Sequence, residues 1–163
     1  MKRYCLYLFI LIGISCSAEL KAQKNGTVYK GNDPAVRYTG RTLVSPDGSV
    51  AFDWVGTYLE TRFTGGKLSV KVSETGTSYY NVFVDGKLHK VVKVCGTDTL
   101  IHLVSGIDKR IHSLKIQKRS EGEFGKTTVH QFVLSGSGRL AEEPAVRTRH
   151  IEFIGNSLTC GYG

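Results

Sequence analysis

The sequence between Val36 and Gly136 alternates apolar and polar residues with a period of two. Such alternation puts successive side chains on opposite faces of a strand, which is typical of a sheet with one face in water. No stretch before residue 140 has a convincing helical period. Eight or nine short strands in about a hundred residues predict an all-β fold, a β-sandwich or jelly roll. The clearest strand segments are 59–63, 68–72, 82–84, 89–94, 100–104 and 114–117.

Turn-forming residues separate these segments at short intervals. Asp85–Gly86 is the clearest signal, because an Asp-Gly pair tolerates the positive φ angles of a tight hairpin. We therefore predict a hairpin at Val84–Lys87. Further turn signals lie at 46–48, 64–66, 95–96 and 105–106.

Four aromatic residues have two possible roles in such a sandwich. They could form a sugar-stacking surface, or they could pack in the core and cover hairpins. Packing is the favoured interpretation, because aromatic residues are enriched in strands generally. The four residues are Trp54, Tyr58, Tyr79 and Tyr80.

Residues 1–22 have the features of a secretory signal peptide. A positive start, Met1–Arg3, precedes the apolar run Tyr4–Ile14 and a short tail of small residues. The run is shorter than the roughly 20 residues that span a membrane, so we predict no membrane span. We expect cleavage after Ala22 and a secreted or periplasmic protein. Lipid attachment at Cys16 is the less favoured alternative.

The basic charge does not indicate a nucleic-acid partner. The chain has a formal net charge of +8, of which Lys2, Arg3 and Lys21 against Glu19 contribute +2, so +6 remains after the leader. The remaining basic residues are scattered, without the interleaved aromatic residues that stack on bases. We therefore predict no nucleic-acid binding.

The cysteine positions do not decide whether the chain has a disulfide. Cys5 and Cys16 belong to the leader, and Cys95 and Cys160 remain. These two could form a disulfide in an oxidising compartment or stay as free thiols. No Cys or His spacing resembles a metal site, so no metal is predicted.

Composition changes after Leu140. The polar stretch 141–150 is a predicted linker between the sandwich, 28–140, and the start of a second domain, 151–163. The second domain opens with the short apolar run Ile151–Ile154, which predicts a buried parallel strand.

Ser157 follows this strand directly after Gly155 and Asn156. A glycine permits a tight turn there, and a serine at the N-terminus of a following helix could use its own backbone N–H to stabilise an oxyanion. The segment Gly155–Leu158 resembles the first signature block of SGNH (GDSL-type) hydrolases, in which the serine is the nucleophile.

The wider sequence resembles carbohydrate esterase family 2. In that family a jelly-roll domain precedes an SGNH hydrolase domain of α/β/α type, and the enzymes remove acetyl groups from polysaccharides such as xylan. The stretches that carry the resemblance are, in order, Val36–Thr42, Phe52–Gly56, Phe83–Gly86, Lys118–Gly122 and Phe153–Gly163.

The resemblance implies a serine esterase mechanism without metal or organic cofactor. Ser157 would be the catalytic nucleophile and its backbone N–H one donor of the oxyanion hole, with Gly155 and Asn156 as its neighbours in the signature block. The implied substrate is an acetylated plant-type polysaccharide or oligosaccharide.

Two departures from the family pattern affect the expected activity. Asn156 stands where the family usually has an aspartate. The downstream glycine, asparagine and histidine of the family have no match, and a serine without a base in reach is a poor nucleophile. We expect sheet or surface roles for the histidines present, which are His89, His102, His112, His130 and His150.

Two functions follow from these residues. The chain is interpreted as the N-terminal part of a secreted carbohydrate esterase, cut short after the nucleophile block and inactive by itself. The alternative is a secreted, non-catalytic β-sandwich that binds carbohydrate.

Overall fold

The computed structural model describes residues 26–141, 148–149, 151 and 154–159. The predicted leader, Cys160 and most of the predicted linker therefore lie outside the described residues. Within the described ranges there is one 3₁₀ turn, Gly122–Phe124, and none of the helices described is long and apolar enough to cross a membrane. The strands are β1 (Thr27–Lys30), β2 (Val36–Thr39), β3 (Leu43–Val44), β4 (Val50–Phe52), β5 (Tyr58–Val84), β6 (Lys87–Lys118), β7 (Thr127–Leu134) and β8 (Arg139–Leu140).

All six predicted strand segments are found, but they are not six separate strands. Three lie within β5, which has 27 residues, and three lie within β6, which has 32. The expectation that turns at 64–66, 95–96 and 105–106 end a strand is wrong, since the first lies within β5 and the other two lie within β6. Gly96 and Gly106 do adopt positive φ angles, but they bend β6 where its register with β5 shifts. Irregularities of this kind let a strand turn without ending its pairing.

The bends let β5 and β6 take part in two layers of antiparallel pairing. In the first layer, 111–118 lies between 58–64 and 80–84, with β2 at the edge. In the second layer, 68–74 lies between 99–104 and β7, and β7 also pairs with β1 and β4. The all-β sandwich of jelly-roll type that the sequence predicts is confirmed.

The core lies between the two layers. Leu59 and Phe63 point inward from β5, while Glu60 and Arg62 between them are less buried, as the period of two predicts. Burying such side chains contributes about 1.5–3 kcal/mol each, which makes this interior the main source of stability. Other fully or nearly fully buried core residues are Leu68, Val70, Val82, Leu103, Leu114, Phe132 and Leu134.

The predicted hairpin at Asp85–Gly86 is confirmed. Asp85 has φ 50° and Gly86 has φ 75°, the positive pair that a two-residue turn of type I′ requires. This turn joins β5 to β6.

The strand predicted at 151–154 stays a prediction. Ile151 and Ile154 are described outside any strand, and residues 152 and 153 lie outside the described residues. Ile154 is 91% exposed and Leu158 is 82% exposed, so these apolar side chains are not covered by the described part of the chain.

Candidate active-site cleft

Asn156 shapes the turn that carries Ser157. Its side-chain Oδ1 accepts a hydrogen bond from the Leu158 N–H at 3.1 Å, and its backbone carbonyl accepts one from the Thr159 N–H at 3.0 Å. The Oδ1 contact is that of an Asx turn, an arrangement that asparagine also adopts at helix N-caps. The amide supplies the acceptor that an aspartate would supply, so the substitution noted in the sequence preserves the local turn.

The turn is tight around Gly155. A Cβ atom on Gly155 would collide with the Thr159 side chain, so the residue before Asn156 must be a glycine for this geometry. The described part of the tail ends at Thr159, with no helix in the residues described. The expectation that Ser157 lies at the N-terminus of a helix therefore stays a prediction.

Ser157 lines a cleft against one end of the sandwich. Two loops form the opposite wall: 53–55, between β4 and β5, and 121–123, between β6 and β7. The cleft has a volume of about 570 Å³. Its side chains include a tryptophan and three carboxylates, so it combines an apolar surface with hydrogen-bond acceptors. The lining residues are Asp53, Trp54, Val55, Glu121, Gly122, Glu123 and Ser157.

Trp54 is the large aromatic residue of this cleft. Its side chain is among the exposed large apolar ones, with 58% of its surface accessible. The Arg41 guanidinium lies 5.5 Å from the ring centroid, within the range of a cation–π contact. Of the four aromatic residues considered from sequence, Tyr80 is in the core and Tyr58 lies under Lys115, as packing predicts. Trp54 and Tyr79 are exposed, so neither packs in the core, and a role in covering hairpins stays a prediction for both.

Backbone hydrogen bonds tie the first cleft loop to the end of β6. The Gly56 N–H donates to the Lys118 carbonyl, and the Lys118 N–H donates to the Thr57 carbonyl. Thr57 in turn donates its N–H to the Trp54 carbonyl at 3.3 Å. The loop that carries Trp54 is therefore anchored to the end of β6, immediately before the second cleft loop.

A buried lysine fixes the second loop from beneath. The Lys118 side chain is 1% exposed; its Nζ donates to the Ser78 hydroxyl at 2.5 Å and to the Gly125 carbonyl at 3.1 Å. Desolvation lowers the pKa of Lys118, and the nearby carboxylates of Glu74 and Asp53 oppose that shift. The contact with Gly125 ties the end of the 121–125 loop to the interior.

A chain of hydrogen bonds next to Lys118 continues this support. Thr127 donates its hydroxyl to the Glu74 carboxylate, so the Tyr80 hydroxyl must be the donor in its 2.5 Å contact with Thr127. Burial raises the pKa of Tyr80, which keeps this donor protonated. A Cβ on Gly125 would collide with Glu74 Oε1, so the loop passes close over this network.

The described histidines take part in the sandwich and not in the cleft. His102 Nδ1 lies 2.9 Å from the Ser69 hydroxyl, and His130 Nε2 lies 2.8 Å from the Ser73 hydroxyl. His112 is buried between Asp85 and Asp108. Among the described residues, Ser157 has no hydrogen bond to a histidine. The sheet roles expected for His102, His112 and His130 agree with these contacts, and His150 lies outside the described residues.

The described residues supply only two of the groups that the predicted serine esterase site would need. Ser157 offers a hydroxyl and a backbone N–H, and neither is engaged in a hydrogen bond within the described ranges. Over the same ranges, no group of three or more His, Cys, Asp or Glu side chains is arranged to hold a metal ion. Cys95 is exposed and has no disulfide to any cysteine that the structure describes; its pairing with Cys160 stays untested because Cys160 lies outside the described residues.

The sequence did not single out the three carboxylates of the cleft. Asp53 lies within the stretch Phe52–Gly56 and Glu121 within Lys118–Gly122, two of the stretches that carry the family resemblance. With Phe153–Gly163, which contains Ser157, three of the five stretches meet at this cleft. The sequence contained these stretches, but only the fold shows that they lie close together, so the carboxylates could not be assigned to the cleft from the sequence.

Comparison with known proteins identifies the type of domain. The family model described as carbohydrate esterase 2 N-terminal matches residues 38–144. The cellulase/esterase CelE of Acetivibrio thermocellus is 34% identical over 132 residues, which cover 81% of this chain and 16% of that protein. An acetylxylan esterase/glucomannan deacetylase of Cellvibrio japonicus is 29% identical over 131 residues, which cover 80% of this chain and 36% of that protein.

A solved structure shares the fold. The family two carbohydrate esterase from Clostridium thermocellum, in complex with cellohexaose, superimposes with a TM-score of 0.71 and 34% sequence identity. The match covers 78% of this chain and 39% of that chain. This chain therefore spans well under half of the length of the relatives that it matches.

Proposed function

Because the chain belongs to carbohydrate esterase family 2, we propose that it contributes the N-terminal sandwich and the nucleophile of an esterase that deacetylates polysaccharides. The relatives named above include an acetylxylan esterase/glucomannan deacetylase, which supports an acetylated plant-type polysaccharide as substrate. The observation that carries the proposal is the position of Ser157 in a cleft whose other wall belongs to the sandwich.

The proposed reaction proceeds through an acyl-enzyme. Ser157 Oγ attacks the acetyl carbonyl, a base takes the hydroxyl proton, and the sugar hydroxyl leaves with a proton returned by that base. Water then attacks the acetyl-serine and releases acetate. The Ser157 backbone N–H is one donor to the oxyanion in both steps.

We propose that the base lies outside the described residues, because the described His89 is exposed on β6 and does not line the cleft. His102, His112 and His130 are held by partners in the sandwich, so none of them is available to Ser157. We propose that the 163-residue chain alone has no Ser157-dependent esterase activity, because a serine without a base and further oxyanion donors lacks several powers of ten in rate.

We also propose that the protein is exported. The proposal is supported by the positive, apolar and small-residue order of residues 1–22, which is that of a secretory signal peptide. Export is consistent with a polymeric substrate, which does not enter cells.

The test compares Ser157→Ala with the unmodified protein in two forms: the longest reading frame that contains these 163 residues, and the 163-residue chain. Acetate release from acetylated xylan is measured. In the longer form, Ser157→Ala should reduce the rate more than about a hundredfold, since loss of a nucleophile costs orders of magnitude. Retention of more than about a hundredth of the rate would exclude Ser157 as nucleophile. Ser157-dependent turnover by the 163-residue chain would show that the base lies within it.

A second candidate is a carbohydrate-binding sandwich without catalysis. The exposed Trp54 ring favours it, because aromatic side chains with an exposed face can stack on sugars. This candidate would be favoured over the esterase by two results together: the longest reading frame contains no histidine that activates Ser157, and the protein still binds carbohydrate.

A further inference from the structure

The sandwich provides a rigid wall to the cleft that Ser157 lines. Gly122 packs against Asp53, with a Cβ position on Gly122 lying 3.5 Å from the Asp53 carbonyl oxygen. The two loops therefore touch each other and are both anchored at Lys118, one through backbone hydrogen bonds and the other through the side chain. A surface held in this way is already formed before a ligand arrives, which lowers the entropic cost of binding.

Trp54 is placed on this wall with its ring accessible. Arg41 approaches the ring to 5.5 Å, yet more than half of the residue's surface stays open. The ring lines the same cleft as Ser157, so one polymer chain could place a sugar unit on Trp54 and an acetylated unit at the serine.

We propose that Trp54 forms a sugar-binding subsite in the cleft of Ser157, so that the sandwich itself positions the polysaccharide for deacetylation. The choice of a carbohydrate rests on the proposed function. Trp54 is a positioning residue in this role, since it would contact substrate away from the reacting ester. The neighbouring carboxylates would accept hydrogen bonds from sugar hydroxyls.

The charges around Trp54 favour a sugar over a protein partner. Asp53, Glu121 and Glu123 surround the same cleft. Covering three carboxylates with a protein surface would desolvate them, and acidic residues are depleted in interface cores for this reason. A sugar leaves them partly hydrated and offers hydroxyl donors.

The same charges predict selectivity for neutral polymers. A uronic acid carries a carboxylate of its own, and like charges repel at short distance. Three carboxylates outnumber the Arg41 guanidinium beside the ring, so the subsite should take neutral xylo- or gluco-oligosaccharides and reject oligogalacturonides.

The experiment uses the fluorescence of the chain's one tryptophan, Trp54. The purified chain is titrated with xylohexaose, cellohexaose and hexagalacturonate, and both the emission and its quenching by acrylamide are recorded. We expect a saturable change in emission and weaker quenching with one or both neutral sugars, and no change with hexagalacturonate. Equal responses to all three would overturn the predicted selectivity, and no response to any would overturn the subsite.

Calorimetry on variants then assigns the binding to this residue. Trp54→Ala should weaken the binding of the neutral sugar by roughly tenfold or more, because truncating a central aromatic contact commonly has that effect. Tyr79→Ala is the matched control, since Tyr79 is also an exposed aromatic residue but does not line the cleft. Circular dichroism of both variants checks folding. Trp54→Phe, which keeps an aromatic ring, should restore part of the affinity.

The outcome is separable from the proposed esterase activity. The titrations and calorimetry measure affinity and require no turnover, so their outcome does not depend on whether Ser157 is the nucleophile. Binding that is unchanged in Trp54→Ala, or lost equally in Tyr79→Ala, would refute the subsite whether or not Ser157 proves to be the nucleophile.

Discussion

His112 connects the Asp85–Gly86 turn to the part of β6 that carries Asp108 through its charge. The ring is 1% exposed, Nδ1 lies 2.8 Å from Asp85 Oδ2, and Nε2 lies 2.9 Å from Asp108 Oδ1. Carboxylates only accept hydrogen bonds, so both contacts at once require the doubly protonated ring. Burial opposes that charge, but the hydrogen bonds to Asp85 and then Asp108 outweigh it and raise the pKa of His112.

The perturbation is His112→Gln, which removes the charge and keeps a polar side chain that can donate to one carboxylate. A hydrogen bond to a charged group contributes about 1.5–3 kcal/mol, and the desolvation of the buried ring offsets part of two such bonds. We therefore expect the variant to lose about 2 kcal/mol of unfolding free energy at about pH 5.5.

The effect should depend on pH in a defined direction. The folded pKa of His112 is raised, so its contribution is complete below the unfolded value of about 6.5 and is lost as pH rises through the folded pKa. The hydrogen bond from His112, followed by that from the Ser113 N–H, lowers the pKa of Asp85. Its contribution is therefore present above the unfolded value of about 3.9 and is lost as pH falls through the folded pKa. The contributions of His112 and Asp85 to stability are therefore both present between about pH 3.9 and about pH 6.5.

The assay is urea unfolding followed by circular dichroism from about pH 4 to pH 9, with the difference between the two proteins as the result. The difference should be largest at about pH 5 to 6 and should shrink toward pH 9 as His112 loses its proton. His89→Gln is the control, because His89 is an exposed histidine on the same strand. A difference that is constant over this range, or equal in the control, would refute the charged link.

Two further predictions concern the cleft loop and the domain boundary. Gly125 has φ 145° and ψ 162°, a region that only glycine adopts readily, so Gly125→Ala should cost at least about 2 kcal/mol by urea unfolding. Gly86→Ala should cost only about 1 kcal/mol, because a Cβ there meets nothing within 4 Å, and equal costs would contradict the close packing of Gly125 on Glu74. Brief trypsin treatment should cut at the exposed Arg149 and leave 26–141 intact by mass spectrometry; first cuts between Leu59 and Val94 would contradict the predicted boundary.

The strands were predictable because their chemistry is local. Residues such as Leu59 and Phe63 alternate with polar neighbours, and that alternation specifies a half-buried strand without knowledge of the partner. The Asp85–Gly86 turn was predictable for the same reason. The continuity of β6 was not, because Gly96 and Gly106 at positive φ can either end a strand or bend it. Whether β6 ends or bends at these glycines depends on whether β5 bends with it and keeps the pairing. That depends on both strands and cannot be inferred from the sequence of β6 alone.

Of the residues that line the cleft, only Ser157 was singled out from the sequence, as a candidate nucleophile. Ser157 is recognisable from its immediate neighbours, but the cleft opposite depends on contacts between distant positions. Asp53 and Gly122 meet because the start of β5 and the end of β6 pair with each other. His112 was expected to occupy an ordinary sheet position. Asp108 lies four residues before His112 in the sequence, so it could be recognised as a possible partner. Asp85 is 27 residues away and could not.

The buried Lys118 links the stability of the sandwich to the shape of the cleft. A lysine with its charge inside a sheet costs free energy, and an apolar residue there would often be as stable or more so. Lys118 instead fixes the positions of both cleft loops. Its ammonium group donates to the Gly125 carbonyl at the end of the acidic loop, and its backbone bonds to the loop that carries Trp54. A sandwich that served only as a spacer would not require such an arrangement at one end. Lys118 is buried and anchors both loops that line the cleft with Ser157. This position supports a role for the sandwich in forming the cleft.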